Sequence, residues 1–287
     1  MSRTEHNLAE RDLETWQTGS ELPICVREAG ARGRVYLVGA GPGDPELITV
    51  KGLRCLRAAD VVVYDRLANP ELLDEASTHA ELIFVGKQTG HCSLHQEEIN
   101  ALLIEQARLG HNVVRLKGGD PCVFGRGGEE ALALAEAGIA FEIVPGISSA
   151  IAVPAYAGIP VTQRGQSGVL TIVTGHEQPE RASSLVDWAS LAKIDGTLVI
   201  LMGVATLPAI CQRLLSGGMA AEMPAAVIEQ GTTAHQRQVT GTLADITERM
   251  VVAGLHSPAV VVIGHVVDLS AALSWFSPHE RLQAVEG

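Results

Sequence analysis

The stretch RVYLVGAGPGDPELITVKGLRCLRAADVVVYDRL (34–67) decides the fold. An apolar run, RVYLVG (34–39), ends in a glycine turn; a helical stretch within 45–59 follows, then a second apolar run, VVVYD (61–65). Short Val- and Leu-rich runs separated by helix-length segments predict strands of a parallel sheet joined by crossover helices. Asp44 carries the side-chain oxygen of a good N-cap, and Pro45 suits a first helical position.

The alternation continues outward through ELIFVG (81–86), NVVRLKGGD (112–120) and FEIVPG (141–146), with helical patterns over 96–110 and 129–138. Ser93 followed by Gln96 reads as a capping box. A second series then runs through VLTIVTG (169–175), GTLVILMG (196–203), PAAVIEQG (224–231) and SPAVVVIGHVV (257–267). Residues 236–243 alternate loosely and suit an antiparallel edge strand. The expected class is α/β, two domains with mostly parallel sheets. The expected division is an arm (1–33), an N-terminal α/β domain (34–147), a connector (148–165), a C-terminal α/β domain (166–275) and a tail (276–287).

Composition narrows the function. Hydrophobic residues are 46% and charged residues 19% of the 287, which excludes a disordered chain, and aromatics at 3% leave aliphatic side chains to fill the core. Lys and Arg total 21 against 33 Asp and Glu, a net charge of −12, so no nucleic-acid or membrane partner is expected. Cys25, Cys55, Cys92, Cys122 and Cys211 form no Cys-x-x-Cys pair and suit the reducing cytoplasm. The polar N-terminus has no secretory signal pattern. Residues 143–163 are uncharged and long enough to span a bilayer, but Pro145, Pro154 and Pro160 argue for a buried, turn-rich connector.

The turn VGAGPGDPELIT (38–49) has glycines at 39, 41 and 43, whereas the dinucleotide fingerprint needs its third glycine where Asp44 stands. That counts against a nicotinamide dehydrogenase. Pro42 removes an N–H from the turn, which weakens a phosphate cradle. Leu37 stands where the common methyltransferase pattern has an acid. By itself the turn is equally readable as a tight strand-to-helix connection without a ligand.

Together with VVVYDRL (61–67), GK (86–87), RLKGGDPCVFGRGGEE (115–130), PGISSA (145–150), GIPVTQR (158–164) and TLVILMG (197–203), this turn resembles the tetrapyrrole methylase family over about residues 34–269. The resemblance implies two α/β domains, a homodimer, and S-adenosylmethionine as methyl donor in a cleft between the domains. It implies methylation of uroporphyrinogen III at C2 and C7, giving precorrin-2 through precorrin-1. Alternatives are a methylase of a later corrin precursor and a non-catalytic tetrapyrrole-binding protein; an RNA methyltransferase is disfavoured by the charge. With about 33 residues before the first strand, methylation alone is expected, without fused oxidation or iron insertion.

Matched position by position, the resemblance implies donor contacts at Pro42, Gly118, Gly119, Asp120, Val123, Ser148, Ser149, Met202 and Gly231. Asp65 matches the family's proton acceptor and Lys87 its proton donor. For Asp65 the alternatives are an ion pair with Arg66 or a loop cap; for Asp120, a turn cap; for Lys87, a carboxylate-binding cation. The acceptor carries eight carboxylates, so an acidic chain must meet it with local cations. Arg66, Lys87, Arg115, Lys117, Arg126 and Arg164 fall at expected strand ends or in the connector, and the arginine fork suits carboxylates. Arg126 and Arg164 rank first, with Arg66, Met202 and Glu129 beside them; Glu129 orients an arginine or meets a pyrrole N–H. His91 and His95, next to Cys92, are four apart, but a helix starting at Ser93 separates them, so no metal is expected.

Overall fold

In the computed structural model, which describes residues 33–86, 95–176 and 186–277, period-two alternation along β1 (Arg34–Gly39) turns Val35 and Leu37 to one face and Tyr36 and Val38 to the other. Both faces are covered. β1 pairs with β4 (Val113–Lys117) and β5 (Ala140–Val144); β2 (Val61–Tyr64) lies between β4 and β3 (Glu81–Phe84). The sheet order is β3-β2-β4-β1-β5, with every pairing parallel. On one face Val35, Leu37, Val63 and Val113 meet Ile99 and Leu103 of α2 (Gln96–Arg108) and Leu134 of α3 (Gly127–Glu136). On the other, Val38, Val62, Val114 and Leu116 meet Cys55 and Leu56 of α1 (Val50–Arg57) and Leu72 of the 3₁₀ turn Pro70–Glu75. Each fully buried Leu contributes roughly 1.5–3 kcal/mol.

Two helix starts differ from expectation. The stretch 45–59 is two elements. Asp44 caps a short 3₁₀ turn, Pro45–Leu47, its Oδ1 accepting from the Glu46 N–H at 3.0 Å; Thr49 then caps α1, its Oγ1 accepting from the Gly52 N–H at 3.0 Å. A second capping residue restarts the chain because Ile48 is extended. Ser93 lies outside the described residues; α2 starts at Gln96 with His95 as N-cap, and the Glu98 carboxylate accepts from the His95 N–H.

The connector is less irregular than its prolines imply. It holds α4 (Ser149–Tyr156), with Ser148 Oγ accepting from the Ala150 N–H at 3.2 Å and Pro154 inside the helix. Ala150, Val153, Ala157 and Ile159 are buried against a second sheet. Among the described residues no helix is long and apolar enough to cross a membrane.

That second sheet runs β6-β7-β10-β8-β9, from β6 (Leu170–Thr174), β7 (Thr197–Leu201), β8 (Pro224–Glu229), β9 (Arg237–Thr242) and β10 (Ala259–Ile263). Its outer face packs on α5 (Trp188–Leu191), α6 (Leu207–Ser216) and α7 (Ile246–Val252). Five of the eight strand pairings among the described residues are parallel, four in the first sheet and one, β6 with β7, in the second. The other three are antiparallel; the edge pairing of β8 with β9 is the one expected, and the two pairings of β10 depart from the parallel arrangement. The strand–helix–strand pattern of β7–α6–β8 is present, but β10 inserts between the two strands and runs against both. Periodicity reports strands, not spatial neighbours. The edge strand expected near 236–243 is β9, antiparallel to β8.

Polar contacts pin the two sheets together beside the glycine turn. The Asp44 N–H donates to Thr232 Oγ1 at 3.0 Å, and the Tyr156 hydroxyl donates to Asp44 Oδ2 at 2.9 Å. Gln236 accepts from the Thr232 N–H at 2.8 Å and donates to the Tyr156 carbonyl at 3.1 Å.

Candidate active site

Because β1 to β5 are all parallel, their C-terminal ends share one edge, where ligands of open α/β sheets bind. The turns leaving that edge crowd together. Gly41 and Gly119 exchange backbone hydrogen bonds at 3.2 and 2.6 Å. A Cβ on Gly146 would stand 2.3 Å from the Gly119 carbonyl, and one on Gly118 would stand 2.5 Å from Leu67 Cβ. Only glycine permits these approaches. The second sheet contributes the turns after β7 and β8. All five non-glycine residues of positive φ among those described, Phe124, Arg126, Met202, Gln230 and Thr232, lie in turns after β4, β7 and β8. Such strained backbone concentrates at functional sites.

The residues expected at the donor line this crevice. Pro42 is half-buried in the glycine turn, and the neighbouring Gly43 faces Thr232 and Thr233. Val123 reaches from the first half to pack on the α4 cluster. Gly231 is buried with its Cα against Val153. Met202 is 52% exposed with φ 55°, so it stands out of the sheet edge rather than in the core. A side chain on Gly119 would meet only Ser149 N at 3.8 Å and Ser148 Cα at 3.9 Å, so the backbone there is open to a ligand. Asp120 does act as a turn cap, accepting from the N–H groups of Cys122, Val123 and Gly146 at 2.8, 3.2 and 3.0 Å. It remains half-buried at the crevice.

Asp65 sits just past β2 with its side chain 26% exposed. It is a loop cap, Oδ1 accepting from the Leu67 N–H at 3.0 Å, and it is ion-paired with Arg115 at 3.2 Å rather than with Arg66. Arg66 and Arg164 are exposed. Arg126 and Glu129 form a two-pronged pair at 3.0 and 2.6 Å, each side chain 56% exposed, so Glu129 orients an arginine as expected. The contact raises the Arg126 pKa and holds the Glu129 carboxyl below its ordinary range. Lys87 lies outside the described residues, as do His91 and Cys92. No group of three or more His, Cys, Asp or Glu among the described residues could hold a metal ion.

Two expected cations are misplaced by the sequence reading. Arg115 and Lys117 are not open to a polyanion: their side chains are 4% and 5% exposed, and both bond Glu130, which is fully buried. Glu130 Oε1 accepts from Arg115 Nε at 3.1 Å, Lys117 Nζ at 2.9 Å and Gln96 Nε2 at 3.3 Å. Burial, with Arg115 alongside, lowers the Lys117 pKa. Glu130 escaped the sequence reading, although a signal existed. A strand flanked by apolar strands and covered on both faces must pair any charge it carries, and the helix three residues past GRG supplies the acid.

A model of the tetrapyrrole (corrin/porphyrin) methylases matches residues 34–247. The chain belongs to the tetrapyrrole methylase family. It is 52% identical over 241 residues to the S-adenosyl-L-methionine-dependent uroporphyrinogen III methyltransferase of Methanosarcina barkeri, covering 84% of this chain and 94% of that protein. It is 49% identical over 261 residues to the siroheme synthase of Chromobacterium violaceum, covering 91% of this chain but only 55% of that longer relative. Among tetrapyrrole methylases of known structure, the Thermus thermophilus uroporphyrin-III C-methyl transferase complexed with S-adenyl homocysteine superposes with a TM-score of 0.71. The identity is 41%, over 83% of this chain and all of that one.

Proposed function

We propose that this chain transfers methyl groups from S-adenosylmethionine to uroporphyrinogen III, at C2 and then C7 or the reverse, to give precorrin-2. The single observation that carries the reading is the 52% identity over 94% of a uroporphyrinogen III methyltransferase, supported by a strand edge whose turns carry most of the residues matched to the donor site. The crevice fits the donor. S-adenosylmethionine is a sulfonium with a neutral adenosine and no phosphate, so a turn that has lost an N–H at Pro42 is no obstacle, and the open backbone at Gly119 suits a flat ligand. Asp120, Ser148, Ser149, Val123, Met202 and Gly231 would hold it, with residues 34–147 and 166–275 as the two halves around it.

When bound, the donor supplies an electrophilic methyl group. The pyrrole β-carbon at C2 or C7 would form the new C–C bond as the S–C bond breaks and S-adenosylhomocysteine leaves. Asp65 takes the pyrrole N–H proton, which strengthens the push from nitrogen, and Lys87 is the proposed proton donor. Arg66 and Arg126 meet the acceptor's carboxylates at the crevice rim, with Glu129 holding Arg126 and Met202 lining the wall, and Arg164, on the turn 163–167 beside the start of β7, is proposed to bind a further carboxylate. Most of the rate then comes from alignment. The free thiols of Cys122 and Cys211 support a reducing, cytoplasmic setting. Exposed Ile151, Leu273 and Trp275 around α4 support the homodimer. The test is the product mass after incubation with S-adenosylmethionine and uroporphyrinogen III. A gain of two methyl groups is expected. An unmodified acceptor, with a later corrin precursor methylated instead, would replace the reading.

A further inference from the structure

We infer that Arg115 and Glu130 are positioning residues for Asp65: a buried line of charge runs from the centre of the first sheet to the carboxylate at the crevice. The inference rests on the role proposed for Asp65.

Arg115 is the middle of the line. Its NH2 donates to Asp65 Oδ2 at 3.2 Å, its Nε to Glu130 Oε1 at 3.1 Å, and its NH1 to the carbonyls of Val63 and Leu116 at 3.3 and 3.1 Å. The guanidinium is therefore held by a strand neighbour, its own strand and a helix at once. Its planar fork transmits that position to the carboxylate. Glu130 anchors the other end, where Lys117 also bonds it.

Fold stability alone is a weak reason for this arrangement. One acid and two bases are removed from water in a region otherwise filled by Val, Leu and Ile, and such groups are often no more stable than an apolar substitute. Glu130 Oε2 is buried without a hydrogen-bond partner among the described residues, which a purely structural site would be expected to avoid. Of the four charged groups, three are buried and only Asp65 meets the crevice. One Asp65 oxygen is fixed by the Leu67 N–H and the other by Arg115, so the carboxylate plane is set before substrate arrives. Displacing a reacting group by about 1 Å can cost on the order of 10²-fold in rate.

The test is a double-mutant cycle on single-turnover methyl transfer, with Arg115→Lys and Asp65→Asn alone and together. Lysine keeps the charge but cannot span Glu130 and Asp65. Arg115→Lys is expected to slow transfer by about 10–100-fold while KM for uroporphyrinogen III stays within about threefold. In the Asp65→Asn background the same change is expected to slow it by less than about threefold. An equal loss in both backgrounds makes Arg115 a structural residue and overturns the inference, leaving Asp65 in its role. A wild-type rate in Asp65→Asn alone removes Asp65 itself, and the inference with it. S-adenosylhomocysteine binding by calorimetry reports folding of each variant. Should Arg115→Lys not fold, Glu130→Gln, which keeps size and an acceptor oxygen, runs the same cycle; failure of both to fold would overturn the inference.

Discussion

Glu129 and Glu130 are neighbours on α3, yet they occupy opposite electrostatic worlds. Glu129 and its partner Arg126 are each 56% exposed at the crevice rim, whereas Glu130 is fully buried between Arg115 and Lys117. A solvated pair gains little from itself, so its members can exchange each other for a ligand's charge. A buried group cannot exchange, because an unpaired charge in the core is too costly. On the proposed reading, the same residue types serve recognition on one face of the helix and geometry on the other, and burial separates the roles.

The sharpest way to break this contrast is Glu130→Ala. It leaves Arg115 and Lys117 buried with only Asp65 as an acid, and should cost about 3–5 kcal/mol of unfolding free energy, read by urea denaturation. Glu129→Ala, measured alongside, should cost no more than about 1 kcal/mol. Comparable losses would erase the distinction.

Next in size is recognition. Arg126→Ala and Arg164→Ala should each weaken uroporphyrinogen III binding by about 1.5–3 kcal/mol, the worth of one charged hydrogen bond, with S-adenosylhomocysteine affinity nearly unchanged in calorimetry. Unchanged acceptor affinity in both would move the carboxylate site elsewhere. Lys117 offers the reverse control: being buried, it should contribute nothing directly to acceptor binding.

The smallest effects are in pH, and both run the same way, each in its own window: stability rises with pH. The Glu129 pKa is depressed by Arg126, so the stability it adds is present above the ordinary carboxylate range and lost as pH falls through its folded value. Wild type should lose its slight advantage over Glu129→Gln as acid is added. The Lys117 pKa is lowered chiefly by burial, so the unfolded chain binds more protons between the folded value and 10.5, and stability rises with pH there. Wild type should gain on Lys117→Met as pH climbs through that window, followed by chemical denaturation.

The strand edge was legible because β1 to β5 announce themselves as apolar runs, and a parallel sheet necessarily gathers their ends. Asp65, Asp120, Arg126 and Met202 therefore emerged from position alone plus resemblance. Arg115 and Lys117 were placed correctly on a strand and wrongly in solvent. Their spacing of two puts both on the face that α3 covers, and only tertiary packing reveals the lid. The two antiparallel pairings of β10 were hidden for a related reason: its insertion between β7 and β8 leaves no local trace. The restart of the helix at Thr49 was visible as a capping residue but was masked by the stronger Asp44–Pro45 signal.

The structure of the complex with S-adenosylhomocysteine tests the central claim most directly. The account predicts the ligand in the crevice at the C-terminal edge of the first sheet, touching Pro42, Asp120, Ser148 or Ser149, Met202 and the backbone at Gly231, with the Asp65 carboxylate and Arg126 facing the space beside its sulfur. A ligand bound at the opposite edge of the sheet, or one whose sulfur points away from Asp65 and Arg126, would contradict it.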